Sequence, residues 1–455
     1  MERKNAWAAY AGDDGRVEAF AKAYCDFINN GKTERECVAY GEKLAKAHGF
    51  EDLNAAVRSG KKLEAGARVY ANWMGKSFML FVLGEKPLEE GMNILGAHID
   101  SPRIDVKQNP LYEDTDLAYL DTHYYGGIKK YQWVAIPLEI HGVVTKKDGE
   151  TVEVVIGKDP EDPKFTITDL LPHLAKDQMA KNGSDIIPGE YLNLLAGSVP
   201  YAGEGTKRVM LAVMSLLNDR YGITEEDFLS AELEVVPSFE ACDIGVDRSF
   251  IGGGQDDRVC AYAELKAIFD TETPDRTAVC VLADKEEIGS MGVSGMQSRA
   301  FETFMADLCE QQDVHLRDCF ENSFCVSADV CNAYDPTFWD VSEYPNRNGA
   351  RANYGVGICK FTGSRGKSGS NDASAEVVGK LRKIFADNGV VWQMSELGKV
   401  DQGGGGTVAQ YMANRNIDTI DAGTPVFSMH APFETVTKFD CYQTYKAMWA
   451  FYKDR

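Results

Sequence analysis

The sequence predicts a three-layer α/β/α domain that is interrupted by an inserted, largely β domain. Strand-like and helical stretches alternate in the outer parts of the 455-residue chain, the middle is typical of antiparallel strands, and candidate metal ligands follow apolar runs only in the alternating parts. Such alternation predicts a sheet with helices on both faces. We therefore expect one discontinuous domain, formed by residues 1–103 and 236–455, and an insert formed by residues 104–235.

The first part of the chain begins with two amphipathic helices and continues with three strands. The helical stretches EAFAKAYCDFINN and ERECVAYGEKLAKAH have apolar residues at spacings of three and four. The strand-like runs ARVYANW and SFMLFVL are joined at Met74-Gly75-Lys76, and MNILGA leads directly to His98. The first candidate ligand therefore stands at the carboxyl end of a strand.

The insert has the pattern of an antiparallel hairpin followed by a helix. WVAIPLEIHGVVTKK and TVEVVIG flank the turn residues Asp148-Gly149. The stretch DLLPHLAKDQMAK predicts a helix, and a long polar stretch follows it. No metal-type motif falls in this segment.

Strand and helix alternate again after the insert. TAVCVLA precedes Glu286, FCVSAD ends at Asp329, and VVWQM and DTIDAG are also strand-like. Helical patterns occur in VCAYAELKAIF, DASAEVVGKLRKIFADN, GTVAQYMANR and FDCYQTYKAMWAFY. This is the repeated order that an α/β domain requires.

Composition excludes several classes of protein. The net charge of −22 opposes binding to nucleic acid and to anionic membranes, and no apolar run is long enough to span a bilayer. Eleven cysteines without a CxxC pair, and the lack of an apolar signal segment in MERKNAWAAY, are typical of reduced thiols. We expect a cytoplasmic protein.

Five residues that are able to bind metal stand in motifs far apart in the sequence: His98, Asp256, Glu287, Asp329 and His430. The carboxyl ends of parallel strands meet at one edge of an open sheet, so these motifs are expected to converge. Nitrogen and oxygen donors without thiolates suit zinc, with cobalt or manganese as substitutes. The set predicts two divalent ions in each subunit.

Taken singly, the motifs also have structural explanations. His98 and Asp100 share one face of a strand, where Asp100 is able to orient the imidazole of a metal ligand, but a histidine in a core or on the surface gives the same pattern. Asp256 and Asp257 fit either a bridging ligand beside a second carboxylate or the N-terminus of a capped helix. The joint pattern favours the metal interpretation.

Glu286 and Glu287 follow an apolar strand and allow a division of roles. Adjacent side chains on extended backbone point in opposite directions, so Glu287 is able to bind metal while Glu286 faces the substrate. An acidic, solvent-exposed helix entry is the alternative for both. Paired metals with an adjacent carboxylate are typical of a hydrolytic enzyme.

The ordered motifs GAHIDSPR, YGG, GGQDDR, DKEEIGS, SADV, GGGGTVA and SMHAPFE are similar to those of aspartyl aminopeptidases and their bacterial relatives, a family of di-zinc metallopeptidases. The chain resembles this family over nearly its whole length. The resemblance implies that His98 and Asp329 bind one zinc ion, that Glu287 and His430 bind the other, and that Asp256 bridges them.

The resemblance also implies roles for residues around the metals. Glu286 would be the general base that takes a proton from the attacking water and passes it to the departing amine, and Asp100 would support His98. The insert would serve dimerisation and place His173, in DLLPHLAKDQ, in a neighbouring subunit's active site. A homo-oligomer, typically a dodecamer built from dimers, is then expected. Lys367 lies where the family places a cation for an acidic substrate side chain, with a solvated loop lysine as the alternative.

Two departures from the family pattern leave the substrate open. DVCNAYDP, with Asp335, replaces a histidine-rich stretch, and QWVAIPL replaces a tryptophan-centred run after YGG. We expect an aminopeptidase acting on peptides, for which a preference for acidic N-terminal residues is one outcome. The alternatives are a carboxypeptidase or deacylase with the same ligands, and a non-catalytic, metal-stabilised assembly protein.

A nucleotide hydrolase is disfavoured, because a phosphate loop at Gly366-Lys367-Ser368 requires glycine where Phe361 stands.

Overall fold

The computed structural model describes residues 5–9, 15–342 and 348–454. Residues 1–4 and 10 of the stretch MERKNAWAAY, which contributed to the expected localisation, lie outside these ranges. The chain divides into two compact units, the first formed by Met1–Ser101, Ala241–Met429 and Glu434–Arg455, the second by Pro102–Glu240 and His430–Phe433. Among the described residues, no helix is both long and apolar enough to cross a membrane.

The strands and α-helices of the described residues follow in chain order. The strands are β1 (Glu51–Asp52), β2 (Arg68–Trp73), β3 (Ser77–Val82), β4 (Met92–His98), β5 (Arg103–Asp114), β6 (Leu117–Tyr125), β7 (Leu138–Thr145), β8 (Thr151–Ile156), β9 (Leu194–Gly197), β10 (Ala231–Pro237), β11 (Cys242–Ile244), β12 (Phe250–Gly253), β13 (Thr277–Ala283), β14 (Phe324–Ser327), β15 (Cys331–Asn332), β16 (Val356–Cys359), β17 (Trp392–Met394), β18 (Asp418–Gly423), β19 (Pro425–Phe427) and β20 (Glu434–Thr437). The helices are α1 (Arg16–Asn30), α2 (Glu34–Ala47), α3 (Leu53–Arg58), α4 (Lys176–Met179), α5 (Arg208–Tyr221), α6 (Arg258–Phe269), α7 (Ala300–Gln311), α8 (Leu316–Glu321), α9 (Ala375–Asp387), α10 (Ala409–Ala413) and α11 (Lys438–Tyr452).

The first unit is built on a large mixed sheet with the strand order β1-β2-β3-β13-β4-β14-β18-β16-β17. Its neighbouring strands β13, β4, β14 and β18 run parallel to one another. The register pairs Ala283 with His98 and Ser327 with Gly96. The carboxyl ends of these strands therefore lie side by side at one edge of the sheet.

Both faces of this sheet are buried by helices. In β13, Cys280 and Leu282 belong to a core shared with α1, α2, α6, α9 and α11, whereas the alternate residues Val279 and Val281 belong to a second core shared with α3, α7, α8 and α10. This alternation follows from the two-residue period of a strand. The predicted three-layer α/β/α arrangement is confirmed.

The second unit contains an antiparallel sheet with the strand order β8-β7-β10-β5-β6-β9. The predicted hairpin is present as β7 and β8, and Gly149 in its turn has a φ of 90°, which glycine adopts without steric strain. Helix α5 packs Val209, Val213 and Leu217 against the core of this sheet. The expectation of a largely β architecture is confirmed.

The helix predicted over DLLPHLAKDQMAK is wrong, because only Lys176–Met179 is helical. Pro172 lies within the stretch and disfavours helical backbone in the residue before it. The apolar residues that produced the periodic pattern are not buried, since Leu171 is 50% and Leu174 is 68% exposed. Tertiary packing, which stabilises most helices of this length, is therefore missing here.

Candidate metal centre

His98 is held at the end of β4 with one imidazole nitrogen directed at carboxylates. Its Nδ1 lies 2.9 Å from the main-chain oxygen of Asp100 and 3.4 Å from Oδ1 of the same residue. Its Nε2 lies 3.2 Å from Oδ1 of Asp256 and 3.8 Å from Oε2 of Glu286. An imidazole fixed through one nitrogen and presenting the other is the usual arrangement of a metal ligand.

Asp100 links the carboxyl ends of the parallel strands β4 and β13 through hydrogen bonds. Its Oδ1 accepts the main-chain N–H of Glu286 at 3.1 Å, and its Oδ2 accepts that of Glu287 at 3.2 Å. These two glutamates begin a short 3-10 helix, Glu286–Ile288, just after β13. A fully buried carboxylate just after β4 therefore fixes the main chain from which both glutamate side chains project.

Asp256 and Asp257 lie between β12 and α6, and the peptide bond between them is cis. Asp257 is the residue before the helix, but its side chain makes no capping hydrogen bond. Instead, Oδ2 of Asp257 accepts the main-chain N–H of His98 at 3.3 Å. Within the described part of the chain, the buried Oδ1 of Asp257 has no hydrogen-bond partner. Helix capping therefore does not explain this pair of carboxylates.

The electrostatics of the cluster favour a cation. Burial lowers the pKa of His98, but hydrogen bonds to Asp100 and Asp256 outweigh it and leave that pKa well above its ordinary value. Burial, followed by the charge of Asp329, raises the pKa of Asp257 well above its usual range. Burial likewise raises the pKa of Asp329, although His98 opposes this effect. Several buried carboxylates around one histidine repel one another unless positive charge lies among them.

Three groups of residues have potential ligand atoms that all lie within 4.8 Å of one another: His98, Glu286 and Asp329; His98, Asp256 and Glu287; and Asp256, Asp257 and Asp329. Four of the five predicted ligands and the predicted base therefore converge in the first unit. Asp257 is an addition that the sequence interpretation left without a role. The nitrogen and oxygen donors fit a divalent metal such as zinc.

The remaining predicted residues lie elsewhere. His430 belongs to the second unit, where its Nδ1 lies 2.8 Å from the main-chain oxygen of Gly127. His173, also in the second unit, is exposed in a turn before α4. Lys367 lies in an exposed loop of the first unit, with Nζ 2.9 Å from Oδ2 of Asp372 and 4.0 Å from the centre of the Phe361 ring.

Two residues that contact Asp256 were missed by the sequence interpretation. Glu434 accepts the main-chain N–H of Asp256 at 2.9 Å, and Ser101 donates its hydroxyl to the main-chain oxygen of Asp256 at 2.7 Å. Both residues stand in motifs that were recognised, GAHIDSPR and SMHAPFE. The motifs marked the region, but sequence gave no indication that these side chains meet Asp256.

An α/β sheet with a histidine and several carboxylates at the carboxyl edge of its parallel strands is the arrangement expected of a metal-dependent hydrolase. The family model described as Aminopeptidase I zinc metalloprotease (M18) matches residues 27–452. A probable M18 family aminopeptidase 1 of Clostridium acetobutylicum is 49% identical over 459 residues, which cover 99% of this chain and 98% of the relative. The chain belongs to the M18 family and is a metallo-aminopeptidase.

Solved structures agree with this assignment. A crystal structure of an M18 family aminopeptidase from Thermotoga maritima has a TM-score of 0.95 and 43% identity, with 100% of each chain covered. The yeast aminopeptidase 1 dodecamer has the same fold, with a TM-score of 0.77, 20% identity and coverage of 96% of this chain and 97% of that chain. The resemblance stated from the motifs is therefore confirmed at the level of family and enzyme class.

Proposed function

We propose that the protein removes the N-terminal residue from peptides with the help of two divalent metal ions, zinc in the native state. The observation that supports this proposal is the convergence of His98, Asp256, Glu287 and Asp329 in overlapping groups of potential ligand atoms. By family resemblance, His98 and Asp329 would hold one ion, and Glu287 and His430 would hold the other. Asp256 would be a ligand of both.

Glu286 is the proposed general base. When bound, zinc supplies Lewis acidity towards the peptide carbonyl and towards water. Glu286 stands beside the ligands, and 15% of its side chain is exposed, so a water molecule is able to reach it. It takes the proton from the attacking water and returns it to the departing amine. Asp100 keeps its main chain in place for both transfers.

A preference for acidic N-terminal residues is proposed from the charge of one cavity. This cavity of about 380 Å³ in the first unit is lined by Arg365, Lys367 and Lys399, with Glu396 as a negative residue. Asp372 already pairs with Lys367 and reduces its attraction for a substrate carboxylate. In Lys367→Ala, we expect lower kcat/KM for Asp and Glu substrates and unchanged values for Leu, with the exposed Lys383→Ala as a matched control. A loss that is equal for all substrates would refute this role.

We further propose a homo-oligomer with residues 104–235 as the assembly domain. The yeast structure is a dodecamer, and for this chain we propose a dodecamer built from dimers. The segment around His173 exposes the apolar side chains of Leu171, Leu174 and Met179, which are 50%, 68% and 67% exposed. Exposed apolar groups of this kind are typical of protein–protein contacts. His173 is proposed to act in the active site of a neighbouring subunit.

A cytoplasmic location is supported by the eleven cysteines, all of which are free.

Peptide cleavage tests the function directly. Purified protein with zinc, cobalt or manganese is incubated with unblocked peptides and with their N-acetylated counterparts, and the released amino acids are identified. We expect release of the N-terminal residue from unblocked peptides only, because an aminopeptidase recognises the free amine. Release from the carboxyl end, or removal of the acetyl group, would favour a carboxypeptidase or a deacylase. No release under any condition would favour the non-catalytic alternative.

A further inference from the structure

Glu434 lies beside the segment that connects β12 to α6. It begins β20, which pairs antiparallel with β12, and the register places Glu434 opposite Gly253, the last residue of β12. The next residues of that chain are the turn that carries Asp256 and Asp257. Glu434 is 3% exposed, so its carboxylate is turned into the protein.

One oxygen of Glu434 binds two successive main-chain groups of this turn. Oε2 accepts the N–H of Asp256 at 2.9 Å and the N–H of Gln255. The main-chain oxygen of Asp256 is bound from the other side by the Ser101 hydroxyl at 2.7 Å. Both polar main-chain groups of Asp256 are therefore bound by side chains from distant parts of the sequence.

Gln255, the residue before Asp256, is also held in place by a hydrogen bond. The hydroxyl of Tyr24, which is fully buried on α1, donates to the side-chain oxygen of Gln255. With these contacts, the Asp256 main chain has little freedom to move. Its Oδ1 is thereby kept 3.2 Å from Nε2 of His98, among the potential ligand atoms.

We infer that Glu434, with Ser101, is a positioning residue that fixes the main chain of Asp256 so that its carboxylate is held ready for metal. This inference rests on the proposed role of Asp256 as a ligand. Outer residues that orient metal ligands contribute to affinity because the ligand need not be ordered when the metal binds. Removing Glu434 would also leave two buried N–H donors without an acceptor.

The test compares variants that differ in hydrogen bonding but not in the ligands. Glu434→Ala removes the acceptor, whereas Glu434→Gln keeps one oxygen that is able to accept both N–H groups. Asp440→Ala is the matched control, because Asp440 is also fully buried and also accepts two main-chain N–H groups, from Asn353 at 2.7 Å and Gly355 at 2.8 Å. It lies outside the potential ligand groups of the described chain. Zinc affinity is measured by competition with a chelator, and the melting temperature is measured on metal-free protein.

We expect Glu434→Ala to bind zinc about 10- to 100-fold more weakly, as is usual when a residue that orients a ligand is lost. Ser101→Ala should also weaken zinc binding. It provides a second variant, at a residue that is only partly buried. Glu434→Gln should keep zinc affinity close to that of the parent protein. The control Asp440→Ala should lower the melting temperature without changing zinc affinity.

Parent-like zinc affinity in both Glu434→Ala and Ser101→Ala would overturn the inference. An equal loss of affinity in Asp440→Ala would also overturn it, because the effect would then be general destabilisation. Asp256→Asn separates this result from a failure of the proposed function. If Asp256→Asn loses zinc while Glu434→Ala does not, only the positioning role is refuted. If Asp256→Asn binds zinc like the parent, the ligand role itself is refuted.

Discussion

Replacing Glu286 by Gln is expected to stop catalysis while leaving metal binding in place. The main-chain N–H of Glu286 donates to Asp100, so the short helix at Glu286–Ile288 does not depend on the side chain that is changed. The side-chain oxygen lies 3.8 Å from Nε2 of His98, beside the ligands. An amide keeps the shape of the carboxylate but is unable to accept a proton from water. The substitution therefore isolates proton transfer.

The size of the effect follows from the environment of the side chain. Loss of a general base typically lowers kcat by about 10²- to 10⁴-fold, which corresponds to about 3 to 5 kcal/mol of transition-state stabilisation. Because only 15% of the Glu286 side chain is exposed, buffer ions have limited access as substitute bases. We therefore expect a value in the upper half of this range. KM should change little, since the base acts in the transition state.

The assay is steady-state hydrolysis of aminoacyl substrates at saturating zinc, together with the zinc content of each variant. Glu287→Gln is the matched control, because its main-chain N–H also donates to Asp100 and its side chain, like that of Glu286, belongs to a potential ligand group. The two glutamates differ in their proposed roles, since Glu287 is proposed as a ligand and Glu286 as the base. The control should lose zinc affinity, whereas Glu286→Gln should not. If Glu286→Gln kept more than about a tenth of the parent kcat, far above the range for a lost base, its role as base would be refuted.

Three further results are expected. Asp100→Ala should lower both kcat and zinc affinity by about 10- to 100-fold, because it frees the main chain of Glu286 and Glu287; parent-like values by kinetics and chelator competition would contradict its supporting role. If His173 acts in a neighbouring subunit, mixed oligomers of His173→Ala and Glu286→Gln should recover activity that neither variant has alone, and no recovery in an activity assay of the co-assembled protein would argue against this. Dialysis against a chelator should abolish peptide cleavage, and zinc, cobalt or manganese should restore it; cleavage by metal-free protein would refute a metal mechanism.

Local sequence patterns were sufficient for the layered architecture of the first unit. The alternating core assignments of β13 follow from a six-residue apolar run, AVCVLA, in a strand that is buried on both faces. His98, Glu287 and Asp329 were found because they follow such runs at the ends of the parallel strands β4, β13 and β14. Asp256 differs, because it follows β12, which is paired antiparallel in another sheet. These signals are local, and they do not depend on knowing which strands are neighbours.

The features that were missed depend on tertiary contacts. Helix α5 was not predicted, although Val209, Val213 and Leu217 repeat at helical spacing, whereas the stretch around Leu171 and Leu174 was predicted as a helix and is not one. Periodicity does not reveal which apolar residues find a surface to cover. Burial, which the sequence does not show, decided between the two segments.

The same limit applies to the metal centre. Glu434 meets the main chain of Asp256 across 178 residues of sequence, and Ser101 meets it across 155. Asp257 had the position of a helix cap, but its side chain binds the main-chain N–H of His98 instead. The clustering of four of the five proposed ligands was predictable from residue type and position, whereas the contacts that hold them in place required the folded structure.

The number of metal ions in each subunit tests the central proposal most directly. Protein saturated with zinc and freed of unbound metal is analysed for zinc and protein content, in the parent and in Asp256→Ala. We expect two zinc ions per subunit in the parent, and a loss of both in the variant, because Asp256 is proposed to bridge them. A single zinc ion in the fully active parent, or two ions retained without Asp256, would contradict the two-metal account.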